Sequence, residues 1–506
     1  MNRLGRRIIA VSAALAMAAA SALAVEPDPA PRPVRPPDDL MALFQASDAA
    51  AKAGDPAGAE ARLLEASKHP AFSGLPARVQ ARMFEYAAQY ARERQDRPAA
   101  HALARRATEA DPSSFDSWHL RAVLASSLGE HDDAALSGRQ AYLSSPEQAS
   151  QYGVFLSQLV WSTGFESPAR YQLLQALFDG GFEFPMQGNA DALWHELAIQ
   201  HLARGNADAA REATARITDP TYLVRLLVDR RFDAIRDPAL TTEALPRYAH
   251  LRVADLRTRA ILDPDVLEIQ QELASAMLVA GQHEDVVALA DEVSRALGSS
   301  VSKSGPYRDG DQYLGWFLDR AGEALERLGR REEALATYRR AASSREFGST
   351  NVSQLLNLGH HLVTAGRPRE AMEIVGAVGS MSPYGRMVLV HVQLRAAHAL
   401  GDQDGVEAAL DYLRRNNEHG RGVLAEALFD LGEIDAAAQQ LVARLEDPET
   451  RSEALYSIQA FPDVLSLDTD PEPERERWEA MLAREDVAAA IERHGRRLAL
   501  PIHRPW

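Results

Sequence analysis

ARMFEYAAQYARERQDRPAAHALARRATEADPSSFDSWHLRAVLASSLGEHDDAALSGRQAYLSSP, residues 81–146, superimposes on itself at a spacing of 34 residues. Phe84 maps to Trp118, Ala88 to Ala122, Ala100 to Ala134, Ala107 to Ala141 and Pro112 to Pro146. The spacing predicts two antiparallel helices per unit. A bulky residue early in the first helix fills the space between helices. Small residues sit where the two helices approach, and a third small residue lets the next unit stack. Proline then stops the second helix, because it lacks an N–H and clashes with the preceding turn.

The pattern recurs on both sides of this stretch. Gly54 and Ala59 mark an early unit, and Trp194, Ala198, Gly205 and Ala210 another. Ala274 and Gly281 follow. Gly322, Gly329, Ala334 and Ala341 are then echoed by Gly359, Gly366, Ala371 and Pro383. Leu400-Gly401 and Leu431-Gly432 mark two more. A Leu-Gly or Ala-Gly pair is often expected at the turn inside a unit, where glycine can take the left-handed backbone that closes the first helix.

Unit length and residue pattern resemble the tetratricopeptide repeat (TPR). About nine units of uneven quality are expected. The predicted fold class is all-α: an α-solenoid of TPR-like helix-turn-helix repeats, with an irregular helical middle and a C-terminal capping helix. The expected organisation is a signal peptide at 1–24, a Pro-rich linker at 25–39, an N-terminal array at 40–146, degenerate repeats at 147–266, a second array at 267–447, and C-terminal helices, acidic spacer and tail at 448–506. Trp478, Met481, Leu482, Val487 and Ile491 supply the capping helix, with a partner-docking helix as its alternative. Asp468 to Arg477 reads as the spacer. Pro501 to Trp506 is a loose end or a short peptide ligand.

The leader rests on Arg3, Arg6 and Arg7, an apolar run from Ile8 to Ala20, and the small-x-small pattern of Ala22-Leu23-Ala24. That run is short for a bilayer span, which needs roughly 20 residues. Six prolines between Pro27 and Pro37 predict an extended linker. The expected compartment is the periplasm, with secretion as the alternative and no stable span once the leader is removed.

The 506 residues include no cysteine, which excludes disulfides, thiolate zinc sites and cysteine nucleophiles. A formal charge of −17 argues against nucleic acid as a partner. Lysine occurs only at Lys52, Lys68 and Lys303, so nearly every cation is an arginine suited to bidentate ion pairs. Phosphate-binding, nucleophile-elbow and dinucleotide fingerprints are missing. The nearest metal motif, His195-Glu196 through His201, places the second histidine six residues on, about 240° around a helix. Asp309-Gly310-Asp311 is too short for a calcium loop. His360, His361, His391 and His398 read as structural. No catalytic residue, metal or cofactor is expected, and the chain is not read as an enzyme. Glu323 and Glu326, three apart on a helix face expected to be exposed, are its weakest case for acid–base chemistry.

The resemblance implies that the first helix of each unit lines a concave groove. The groove positions are then Arg82, Glu85, Gln89 and Arg92, then Asp116 and His119 with Ser126, then Trp316, Asp319, Glu323 and Glu326, followed by His360. Asp319, Glu323 and Glu326 suggest a basic or amide-rich partner, or else a solvated face paired to arginine. Tyr313 and Trp316, after the irregular stretch from Ser299 to Asp311, are core residues or a platform for sugar. The leading expectation is a periplasmic scaffold for protein–protein interactions in the cell envelope. Its alternative is a polymer-binding accessory protein in polysaccharide export or cell-wall assembly, with a glycan as partner.

Overall fold

A computed structural model describes residues 36–504 apart from 187–188, 300–304, 347, 377, 463–464 and 469. The leader and nearly all the Pro-rich linker lie outside these residues. The helix Asp38–Lys52 begins inside the stretch assigned to the linker, with Pro37 at its N-cap and Asp38 and Asp39 in its first turn, where carboxylates favour a helix start. The described residues form 26 helices of α type and one two-residue hairpin, Arg345–Glu346 with Ser349–Thr350.

The chain divides into two compact units, Met1–Pro185 and Met186–Trp506. In the N-terminal unit the helices pair as Asp38–Lys52 with Pro56–Ala66, Ala77–Glu93 with Arg97–Ala110, and Phe115–Leu128 with His131–Ser144. Gly153–Ser162 and Pro168–Asp179 stack on the last of these. The repeat residues do what their sizes dictate. Phe84, Ala88, Ala100, Ala107, Ala122, Ala134 and Ala141 are all buried. Trp118 is the exception, half-buried, with Nε1 donating to the Pro112 carbonyl at 2.9 Å and Arg121 over its ring. Two of the three second helices start on capping carboxylates: Asp55 accepts from Gly58 N at 2.8 Å and Asp96 from Ala99 N at 3.1 Å.

The turns carry the expected geometry. Gly54, Gly129, Gly205, Gly281, Gly329, Gly366, Gly401 and Gly432 all have φ between 73° and 77°. The pair at 77–110 has no glycine there. Gln95 takes its place at φ 63°, the one non-glycine residue with positive φ among the described residues.

The C-terminal unit runs through seven further pairs, from Asp191–Ala203 with Ala207–Thr214 to Arg421–Asp430 with Ile434–Glu446. Its chain then returns to its own beginning. Arg451–Ser457 packs on Pro220–Val228, and Ser452 Oγ meets Asp229 Oδ2 at 3.2 Å and His195 Nε2 at 3.3 Å. The spacer differs from expectation: Glu472–Leu482 is helical, because Pro473 falls in the first turn, where its missing N–H has no partner to lose. The single capping helix expected from Trp478 to Ile491 is two: Trp478, Met481 and Leu482 lie on Glu472–Leu482, and Val487 and Ile491 on Glu485–His494, with a break at Ala483 and Arg484. The second of these is the cap. It lies on Ile434–Glu446 and holds Glu446 through Arg493 and His494.

Candidate binding faces

In the N-terminal unit the groove positions fall on two stripes. Arg82, Gln89 and Arg92 of Ala77–Glu93 are exposed, as is Asp116 of Phe115–Leu128. Glu85 is not. It is 4% exposed, accepts from Ser117 Oγ of the next unit at 2.6 Å, and pairs with Arg82 at 2.8 Å. The expectation of an outward Glu85 is therefore corrected. A first helix packs both on its own partner and on the next first helix, so its open stripe is narrower than the helical period suggests. Arg82 also reaches Asp116 at 3.1 Å, which ties two predicted positions together across the repeat. Gln89 and Arg92 continue the stripe. Arg92 borders a depression of about 550 Å³ with Gln95, Arg97, Val123, Leu124 and Ser127.

His119 is half-buried inside a ring cluster. Its imidazole lies 5.6 Å from Phe115, 4.3 Å from Tyr152 and 5.7 Å from Phe155, centroid to centroid. Burial lowers its pKa against the pull of Asp116, which favours the neutral ring. Tyr152 and Trp161 remain 44% and 47% exposed. Tyr152 lies one repeat of 34 residues beyond Trp118. Extending the register by one unit would have found it.

The C-terminal unit departs from expectation more sharply. Asp319, Glu323 and Glu326 of Gly310–Arg327 are buried, not presented to solvent. Asp319 pairs with Arg320 at 2.5 Å, and Arg320 also holds Glu323 at 3.0 Å. The i,i+4 partner Arg327 grips the other Glu323 oxygen. Glu326 accepts from Tyr338 Oη at 2.9 Å and from the Leu467 amide at 3.0 Å. The reason for the burial is twofold: the next repeat brings His361, and the C-terminal segment brings Leu467. Burial is the largest influence on Glu323 and outweighs both guanidiniums, raising it to about 7. The expectation that Glu323 and Glu326 share an exposed face is thus corrected. Both Glu323 oxygens are occupied by arginine.

The network extends to Glu272, also raised to about 7 by burial, with Arg252 at 4.0 Å. At its far side Arg395 contacts the His360 ring at 3.0 Å and Asp430 at 3.4 Å, and His391 meets Asp430 at 2.7 Å. His391 is buried and His398 exposed. Trp316 is half-buried, its Nε1 donating to Glu346 at 3.2 Å, and Tyr313 is turned toward Glu268 and Glu272. His195 is buried among Tyr222, Phe232 and Ser452. One group sequence reasoning passed over, His101 with Glu130 and Asp133, has metal-ligating atoms within 4.8 Å of one another. Arg121 already lies against Asp133, which neutralises the charge a cation would need.

No family model matches this chain, and no curated protein does. Comparison with solved structures finds tetratricopeptide proteins. A TPR protein from Parabacteroides merdae is 14% identical, covering 67% of this chain and 99% of its own, with a TM-score of 0.30. Yeast Tom70 is 10% identical over 90% of this chain and 99% of its own, also at 0.30. The TPR domain of P58(IPK) is 18% identical over 81% and 100%, at 0.21. The case for helix-pair repeats rests on this chain's own periodicity and turns.

Proposed function

We propose that this protein is a periplasmic scaffold that holds other proteins of the cell envelope, with its N-terminal unit as the binding element. The observation that carries this reading is the open stripe of Arg82, Gln89, Arg92 and Asp116 running beside the Phe115–His119–Tyr152–Phe155 rings. Charged and amide groups next to partly exposed rings are the composition of a protein-binding patch, where aromatics and arginine supply most of the energy. The leader at 1–24 and the prolines behind it support export.

The test is cross-linking in living cells of a chain tagged after Ala24. One or two envelope proteins should co-purify with the native chain and be lost from a Tyr152→Ala/Arg92→Glu variant of unchanged helical content. Retention of every partner by that variant counts against the stripe. Amino-terminal sequencing of the periplasmic fraction should find a start just after Ala24. A chain recovered only from the cytoplasm with Arg3 intact defeats the localisation. The partial exposure of Tyr152 and Trp161 favours one second reading, a glycan ligand held against these rings. Tyr152-dependent binding of purified envelope polysaccharide, with no protein partner, would establish it.

A further inference from the structure

Residues 495–504, GRRLALPIHR, form no helix, yet they are bound along their length. Arg496 N donates to the Val228 carbonyl at 2.9 Å. Ala460 N donates to Leu498 O at 3.1 Å and Leu500 N returns a bond to Ala460 O at 2.8 Å, a parallel bridge between Ala460 and Ala499. His503 N donates to Val279 O at 2.9 Å, and Arg327 donates to Arg504 O at 2.6 Å. Leu500 and Ile502 are buried, with Pro501 between them turned outward. Arg496 and Arg497 pair with Asp233 and Glu479 at the rim. Main-chain pairing with alternate side chains in pockets is how proteins take up extended peptides.

One part of the groove is held by bonds that do not involve its occupant. One wall is the turn at Gly281, closed by its own bonds from Gly281 N to Leu278 O and from Gln282 N to Met277 O. The turns at Gly366 and Gly401, which carry no such segment, have the same backbone. The fit is also imperfect where the segment ends. His503 meets His283 edge to face at 5.0 Å, and buried His283 Nδ1 has no hydrogen-bond partner there. An unmade buried hydrogen bond weakens the hold of this end.

We infer that this groove is a peptide-binding site whose present occupant is the chain's own last segment, and that a partner's extended segment of the same chemistry displaces it: two arginines, then apolar side chains two residues apart. The site belongs to the C-terminal unit and stands whether or not the N-terminal unit binds a partner. The tether supplies an effective concentration on the order of millimolar, so the native chain resists a competitor that an untethered groove accepts.

The test uses the full chain carrying Leu500→Asp and Ile502→Asp, and a fluorescent synthetic peptide of residues 495–504. The peptide should bind this variant saturably and bind the native chain at least about tenfold more weakly, as tethered competition requires. A peptide carrying the same two aspartates should not bind. Equal affinity for both chains, or no binding to the variant, overturns the inference. So does loss of the variant's helical signal, which would make the segment part of the core. Hydrogen exchange on the native chain provides an independent check. The Arg496, Leu500 and His503 amides should exchange faster than those of Leu267–Val279, and joint protection overturns displacement.

Discussion

The repeat register superimposes Ala77–Glu93 of the N-terminal unit on Gly310–Arg327 of the C-terminal unit, with Ala88 on Gly322 and Gln95 on Gly329. The same register pairs Arg82 with Trp316, Glu85 with Asp319, Gln89 with Glu323 and Arg92 with Glu326. Gln89 and Arg92 face solvent, whereas Glu323 and Glu326 are buried. The helical period decides which side chains turn to the inside of a helix array. Whether that inside is open depends on what the rest of the chain lays over it.

The largest effect that would sharpen this contrast is removal of a buried cation. Arg320→Ala strips Asp319 of its cation and leaves Glu323 with Arg327 alone, and should cost about 3 kcal/mol, as for other broken buried pairs. Arg82→Ala, at a half-exposed pair, should cost within about 1 kcal/mol. Chemical denaturation of each variant measures both, and equal costs would break the distinction.

Next comes a pH effect. Glu323 has a folded pKa raised above its unfolded value, so it binds its proton more tightly when folded. Its contribution favours the fold at low pH and is lost as pH rises from about 4.5 through about 7. Glu323→Gln stays neutral throughout. Its Tm should therefore gain on the native chain between pH 5 and pH 8, by the equivalent of roughly 2 kcal/mol. A constant difference across that range would show that Glu323 is not desolvated. In the N-terminal unit Asp133 is lowered through its hydrogen bonds to Arg121 and His101, against the cost of burial. The sign there is opposite: its stabilisation is present above its unfolded pKa and lost on acidification.

A third comparison concerns close packing. A Cβ at Gly322 would run into the Tyr338 ring, which is fixed by stacking on His361 at 3.7 Å and by its bond to Glu326. Gly322→Ala should cost about 2 kcal/mol of overpacking. Its counterpart Ala88→Gly should cost about 1 kcal/mol, through backbone entropy and lost burial. The smallest effect is a gain. Gln95 holds a left-handed backbone that costs a side-chain-bearing residue about 1 kcal/mol, so Gln95→Gly should raise Tm slightly. Gly329→Gln should lower it by a similar amount.

Much of this fold was legible because alanine, glycine and proline at fixed intervals report directly on close approach, turn and stop. The exposed members of the N-terminal stripe, Arg82, Gln89, Arg92 and Asp116, were legible for the same reason. Glu85 was misread because a neighbouring repeat covers it, and a period of 3.6 residues carries no information about neighbours. Asp319, Glu323 and Glu326 were misread because their cover includes Leu467, 141 residues from Glu326. No local pattern announces such a contact. Of the extended run at 495–504 only the tail from Pro501 stood out in the sequence, and its docking did not, because its bonds are made by backbone, which every sequence shares.

The return of the C-terminal unit onto its own start bears on how that unit comes apart. A simple stack of repeats has two free ends and loses terminal units one at a time, like a one-dimensional lattice. Here Ser452 bonds to His195 and Asp229, and Gly495 pairs with Asp229. Peeling repeats from either end of the unit must break the joint made by Ser452, which spans more than 200 residues. Closing so long a loop is slow, so the unit should fold late and then unfold as one cooperative block. The open stack at the N-terminus is free to unravel in steps.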